Sequence, residues 1–170
     1  TSFTFGLTQD FRDNINDPRA GSYRRVSLET AGRFLGGEEN FRKIVGEYRR
    51  FRPLGEKVVL AARIMGGISF GRLPLFETFS VGGANSLRGY EEERYRGEEF
   101  VLVNLEYRRA VTDKLTGVFF VDAGDAYGGT FPTLVPGFNI SAEDRDLRWH
   151  VGVGFGLRVV TPLGPLRFDI

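Results

Sequence analysis

A chain of 170 residues is long enough for one domain with a substantial core, and its 23 glycines, 14% aromatic content and absence of cysteine lean toward strands and tight turns. Without cysteine there is no disulfide framework and no thiolate metal site, and a formal net charge of +1 gives no electrostatic argument for nucleic acid. Only Lys43, Lys57 and Lys114 are lysines among the 23 basic residues, leaving 20 arginines, whose planar guanidinium suits semi-enclosed ion networks. No run of about 18 apolar residues exists, which excludes a transmembrane helix. A transmembrane β-barrel escapes that test, because its strands alternate lipid-facing and lumen-facing residues and keep mean hydropathy low, here −0.20.

In chain order, Phe3, Phe5 and Leu7 against Thr4, Gly6 and Thr8 form the first alternating segment, and Val26, Leu28 and Thr30 against Arg25, Ser27 and Glu29 the second. Residues 41–52 alternate more weakly. Val58, Leu60, Ala62 and Ile64 stand against Arg63 and Met65. Val101, Val103, Leu105 and Tyr107 are read as outward, with Leu102, Asn104, Glu106 and Arg108 inward. Leu115, Phe119 and Val121 are likewise outward, with Thr116, Phe120 and Asp122 inward. The clearest period runs through Trp149, Val151, Val153, Phe155, Leu157 and Val159 against His150, Gly152, Gly154, Gly156 and Arg158. With residues 165–170 this predicts an all-β fold: an antiparallel transmembrane sheet of about eight strands, one unit over 1–170, with Trp149, Val151, Val153 and Phe155 facing lipid.

Connections fall into two sizes. Pro53–Glu56, Val111–Asp113 and Thr161–Pro165 read as short turns, residues 32–40 and 124–146 as longer loops, and residues 70–97 as the longest. A loop of that length is usually functional. An eight-stranded barrel has an interior just wide enough for side chains. Hence either the strands are half of a larger barrel with the loop inside, or they close on themselves with the loop outside. The chain starts at Thr1 without a signal peptide and stops at Ile170 inside an apparent strand, as expected of an excised piece whose free strand edges favour self-association.

Four motifs carry a resemblance. Val81-Gly82-Gly83-Ala84-Asn85-Ser86-Leu87-Arg88-Gly89-Tyr90 lies in the longest loop, and Phe119-Phe120-Val121-Asp122-Ala123-Gly124 on a strand. Gly154-Phe155-Gly156-Leu157-Arg158 leads to Thr161-Pro162-Leu163-Gly164-Pro165-Leu166-Arg167, and Asp10-Phe11-Arg12-Asp13-Asn14 precedes Pro18 and Gly21. Together they resemble the BamA-type outer-membrane assembly family, including its translocation and two-partner secretion relatives. The resemblance implies the C-terminal half of a sixteen-stranded barrel, integral to a bacterial or organellar outer membrane, with membrane lipid or detergent around it. It also implies a loop folded back into the barrel, unfolded outer-membrane protein clients, and periplasmic or lipoprotein accessory subunits reached through N-terminal soluble repeats that do not occur here. The implied role is non-enzymatic, with no cofactor: insertion of client barrels by strand-edge templating.

The residues give a separate reason to look at Arg88. Gly82, Gly83 and Gly89 permit positive φ and close approach to a wall, and an arginine carried into a confined lumen needs a carboxylate. Glu106 and Asp122 are inward-parity acids on the next two strands, so Gly82, Gly83, Arg88, Gly89 and Tyr90 form the candidate loop site and Glu106 and Asp122 its wall acids.

Other features point elsewhere only weakly. Gly152-Val-Gly-Phe-Gly156 resembles a nucleotide loop but sits inside an alternating strand, where small inward residues make room for whatever fills the lumen. Asp122 and Asp125 with Asp10, Asn14 and Asp17 lack calcium-loop spacing, so no metal is expected. His150 is the only histidine, and no Gly-x-Ser-x-Gly elbow accompanies it, so catalysis is not expected. The alternative functions are a two-partner secretion translocator and a small closed barrel binding a lipid or apolar ligand; the latter requires apolar residues inside, opposite to the parity read above.

Overall fold

The structure is a computed structural model that describes residues 1–32, 40–71, 73–129, 146–161 and 164–170. Among the described residues ten strands form: β1 (Ser2–Asp10), β2 (Gly21–Ala31), β3 (Phe41–Pro53), β4 (Val58–Gly71), β5 (Phe79–Val81), β6 (Tyr95–Gly97), β7 (Glu99–Ala110), β8 (Leu115–Tyr127), β9 (His150–Thr161) and β10 (Gly164–Asp169). Eight make one antiparallel meander in the order β1-β2-β3-β4-β7-β8-β9-β10, and β5 pairs with β6 separately. From β1 to β9 the wall strands run 9 to 14 residues, the length a tilted strand needs to cross a bilayer.

Register keeps one parity on each face across the sheet. Glu47, Met65, Leu102 and Gly124 are successive partners on the inner face, as are Ala61, Glu106, Phe120 and Gly154. The outer face carries Phe5, Leu28, Ile64, Leu105, Phe119, Val153 and Phe155, all exposed. Apolar side chains left uncovered on one entire face require an apolar solvent, since burying each one fully is worth roughly 1.5 to 3 kcal/mol. Val151 and Trp149 are also exposed; Trp149 stands just before β9.

The sheet is open, because β1 and β10 each have one unpaired edge. The reading of a small closed barrel is therefore corrected: the first and last strands do not pair, and the long loop lies on the inner face. Two boundaries also differ from expectation. β4 extends through Gly71, so the long loop starts later, and it contains the β5–β6 ribbon and a single 3-10 turn at Leu75–Glu77. β8 continues to Tyr127, because the alternation of Asp122, Gly124 and Ala126 keeps pairing with β7. Residues 33–39 of the predicted loop at 32–40, much of the one at 124–146, and Pro162–Leu163 of the turn at 161–165 lie outside the described residues.

At the short-turn end, residues 11–20 are organised by side chains that imitate backbone. The Asp13 carboxylate accepts the amides of Asn14, Arg19 and Ala20 at 2.9, 3.0 and 3.1 Å, and Asn14 accepts those of Asn16 and Asp17. These amides hold the Asp13 carboxyl below the usual carboxylate range, the Ala20 bond being the largest contributor.

Two measurements check this fold. Spin labels at Val151 and Val153 are expected to be relaxed by oxygen in the bilayer, and labels at Ser27 and Glu29 by an aqueous nickel chelate; the reverse pattern would invert the parity. Because the folded-state pKa of Asp13 lies below the unfolded one, its stabilisation is complete above the unfolded value and is lost as pH falls through the folded value. Amide exchange at Arg19 and Ala20, corrected for intrinsic rates, should accelerate only in that acid range, and Asp13→Asn should weaken the dependence.

Candidate functional site

Residues 73–98 fold onto the inner face and carry their own apolar contact with the wall. Val81 and Leu87, 1% and 0% exposed, pack with Phe100 and Leu102 of β7 and Ala126 of β8. The β5–β6 ribbon forms the stem, and β6 lies beside β8. At the tip, Gly82 and Gly83 adopt φ of +131° and +96°, where a side chain is strained, and Ser86 Oγ closes the turn by accepting the Gly82 amide at 2.9 Å and donating to its carbonyl. Gly89, φ +88°, turns the chain again after Arg88.

Arg88 is buried against the wall. Its Nε and Nη2 donate side by side to Asp122 at 2.5 and 2.7 Å, and its backbone amide reaches the same carboxylate at 3.2 Å. Nη1 donates to Glu106 at 2.9 Å and to Asp169 of β10 at 3.3 Å. The guanidinium plane lies 3.6 Å from the centroid of Phe120, so its flat face is covered as well as its edges. Asp122 is fully buried, and a carboxylate there is tolerable only because the guanidinium and the Asn104 amide, at 2.8 Å, supply its hydrogen bonds. Glu106 is shared with Arg108 and Arg158 at 2.8 and 2.7 Å, so the cluster sets Arg88, Arg108, Arg158 and Arg167 against Glu106, Asp122 and Asp169.

Three further wall side chains hold the tip by its backbone. Arg167 of β10, Arg63 of β4 and Asn104 of β7 donate to the successive carbonyls of Ala84, Asn85 and Ser86 at 2.6, 3.0 and 2.7 Å. On β9 the inward Gly152 is the recess for this tip, and Gly154 makes room beside it for Phe120 and the end of β10. A Cβ at Gly152 would collide with the carbonyl oxygen of Arg88, and one at Gly154 with the ring of Phe120. Tyr90 continues the contact by donating to the Val151 carbonyl at 3.2 Å and meeting His150 edge-on, while Tyr95 stacks on His150 at 3.8 Å.

The structure thus brings Arg88, Glu106 and Asp122 into direct contact and sets Gly82, Gly83, Gly89 and Tyr90 around them. Trp149, Val151, Val153 and Phe155 lie on the opposite face, away from the cluster. Sequence reasoning did not single out Leu87, Val81, Asp169, Arg167 or the Phe120 face. Inward parity was available for Phe120 and Asn104, but only the register shows that they neighbour Asp122.

Gly152→Val should displace the tip while leaving the β8–β9 ladder paired, because the added side chain points into the recess and not along the strand. Backbone amide exchange should then rise at residues 84–90 and stay unchanged along β8.

The Omp85 superfamily domain pattern matches residues 1–170. The outer membrane protein assembly factor BamA of Nitratidesulfovibrio vulgaris is 32% identical over 184 residues, covering 95% of this chain and 21% of that protein. Outer envelope protein 80 of the Arabidopsis thaliana chloroplast is 34% identical over 130 residues, 76% of this chain and 17% of that one. A SAM50-like protein of Schizosaccharomyces pombe is 34% identical over 100 residues, 55% and 21%. The crystal structure of BamA from Haemophilus ducreyi lacking POTRA domains 1–3 superposes with a TM-score of 0.81 at 20% identity, over 99% of this chain and 38% of that one, which shows the shared fold. The chain spans about a fifth of the length of these curated relatives. With an apolar outer face, a loop pinned inside the sheet and a family match along its whole length, this integral outer-membrane barrel segment belongs to the Omp85 superfamily.

Proposed function

We propose that the chain is the membrane-embedded portion of a factor that inserts other β-barrel proteins, acting without catalysis and without a cofactor, and that Arg88 anchors the inner loop on which this depends. The observation that carries the reading is the Arg88 cluster: a loop tip held by four side-chain hydrogen bonds from one guanidinium, inside a sheet whose strand edges are open. Glu106 and Asp122 are committed to guanidinium groups and are not held free for proton transfer, which favours a structural role for both. Clients would be unfolded outer-membrane proteins, recognised through backbone pairing with an exposed strand edge, the contact that ordinary sheets suppress. The similarity to a bacterial outer membrane protein assembly factor supports this client class, and accessory subunits would engage parts of the protein other than this sheet.

In this account the inner loop occupies the concave face so that incoming strands add at the edge and do not collapse into the lumen. Breaking a buried ion pair costs about 3 to 5 kcal/mol, against about 0 to 1 for an exposed one. The burial of Arg88 and Asp122 places their contact toward the upper range. The strands keep their own ladder, so losing the anchor should free the loop without dissolving the sheet.

Arg88→Ala in the full-length protein is expected to make the loop protease-sensitive and to slow client insertion into liposomes, with strand content unchanged by circular dichroism. Arg88→Lys should restore little, because an ammonium cannot make the side-by-side contact with Asp122. Normal insertion by Arg88→Glu, with a normally protected loop, would refute the anchoring role.

A further inference from the structure

The outer face holds a second built feature, remote from the loop cluster and near the short turns. β8 turns Gly117 outward between its register partners Arg109 of β7 and Leu157 of β9. A Cβ on Gly117 would meet only the Arg109 carbonyl oxygen at 3.9 Å and Val111 Cγ2 at 4.0 Å, so the glycine leaves a bare patch in an otherwise apolar wall. Tyr107, Phe119, Phe155, Leu157 and Phe168 surround the patch and make a groove of about 500 Å³. The rings of Phe119 and Phe155 rest against each other with centroids 5.2 Å apart, which fixes one side. Arg109 stands on the rim nearest the turn, exposed and with no carboxylate partner among the described residues.

A lone guanidinium beside an apolar groove on a lipid-facing wall needs a counter-charge that no described residue supplies. The outward strand positions at this end repeat the sign, while the exposed acids Glu56 and Asp113 lie in the turns beyond them. Arg24, Arg50 and Arg52 are exposed on the outer parity of β2 and β3 at the same end, Arg24 lying over the Tyr48 ring at 5.5 Å. At the long-loop end the outward charged positions are mixed, with Arg42 on β3 and Glu99 on β7. Cations gathered at one edge of an apolar belt match the phosphates of the adjoining leaflet, and anionic lipids attract them further.

We propose that this groove binds one anionic phospholipid of the short-turn leaflet, with an acyl chain lying over Gly117 and the phosphate on Arg109. The groove supplies shape and Arg109 supplies charge, so the two can be removed separately. The site is independent of the inner loop, and its failure would leave the reading of Arg88 untouched.

The test offers the delipidated full-length protein in detergent either dioleoyl-phosphatidylglycerol or dioleoyl-phosphatidylcholine, and counts retained lipid by native mass spectrometry. Phosphatidylglycerol should be retained preferentially. Arg109→Gln should lower its retention about fivefold, the factor for one cation at a lipid surface, and leave phosphatidylcholine unchanged. Gly117→Val fills the groove at a position with room for the side chain and suits a strand, so it should lower retention of both lipids. Equal retention of the two lipids by the unaltered protein, or unchanged phosphatidylglycerol retention in both variants, overturns the proposal. Displacement of phosphatidylglycerol by millimolar inorganic phosphate would reduce the site to a bare anion contact and overturn it equally.

Discussion

A guanidinium carried into the interior of a sheet cannot be left alone, and the arrangement of the inner face follows from that constraint. Arg88 makes Asp122 tolerable as a fully buried carboxylate, and Asp122 in turn fixes the position of the loop tip through both a side chain and a backbone amide. Glu106 extends the network to Arg108 and Arg158, and Phe120 shields the guanidinium face. The members come from four strands, so the network ties β7, β8, β9 and β10 to one loop residue. Removing Arg88 strips the buried Asp122 of its guanidinium, which couples the loop to the wall more tightly than its apolar contacts alone would.

The apolar contacts have a different task. Leu87 and Val81 against Phe100 and Leu102 hold the loop to β7 through apolar surface and exclude water beside the ion network. Lower effective dielectric there strengthens the Arg88 contacts. The glycines of β9 complete the fit by subtraction: a strand with a continuous apolar outer face has small residues at the inward positions where the tip arrives. One strand therefore meets lipid on one side and a folded loop on the other.

Much of this was legible in the sequence because a period of two survives any amount of tertiary detail. The parity of Val151, Val153 and Phe155 against Gly152, Gly154 and Gly156 needed no partner strand to be read, and Glu106 and Asp122 were found as inward acids by the same rule. Register was not legible. Nothing in the sequence places Asn104 beside Asp122, or brings Asp169 from the last strand to Arg88, since both depend on how far neighbouring strands slide before pairing. The β5–β6 ribbon was also hidden, because three-residue strands are too short to show a period. Membership of the Omp85 superfamily agrees with the motif resemblance, whereas the closed small barrel failed on the open edges of β1 and β10.

The central claim is that the loop and the wall are coupled chiefly through the Arg88–Asp122 pair and not merely adjacent. A double-mutant cycle in the full-length protein isolates that coupling, using Arg88→Ala, Asp122→Ala and the two together, with loop release read from amide exchange at residues 82–90. The account predicts strong non-additivity: once either partner is lost the loop is already free, and removing the second adds little. Additive effects of the two substitutions would contradict it.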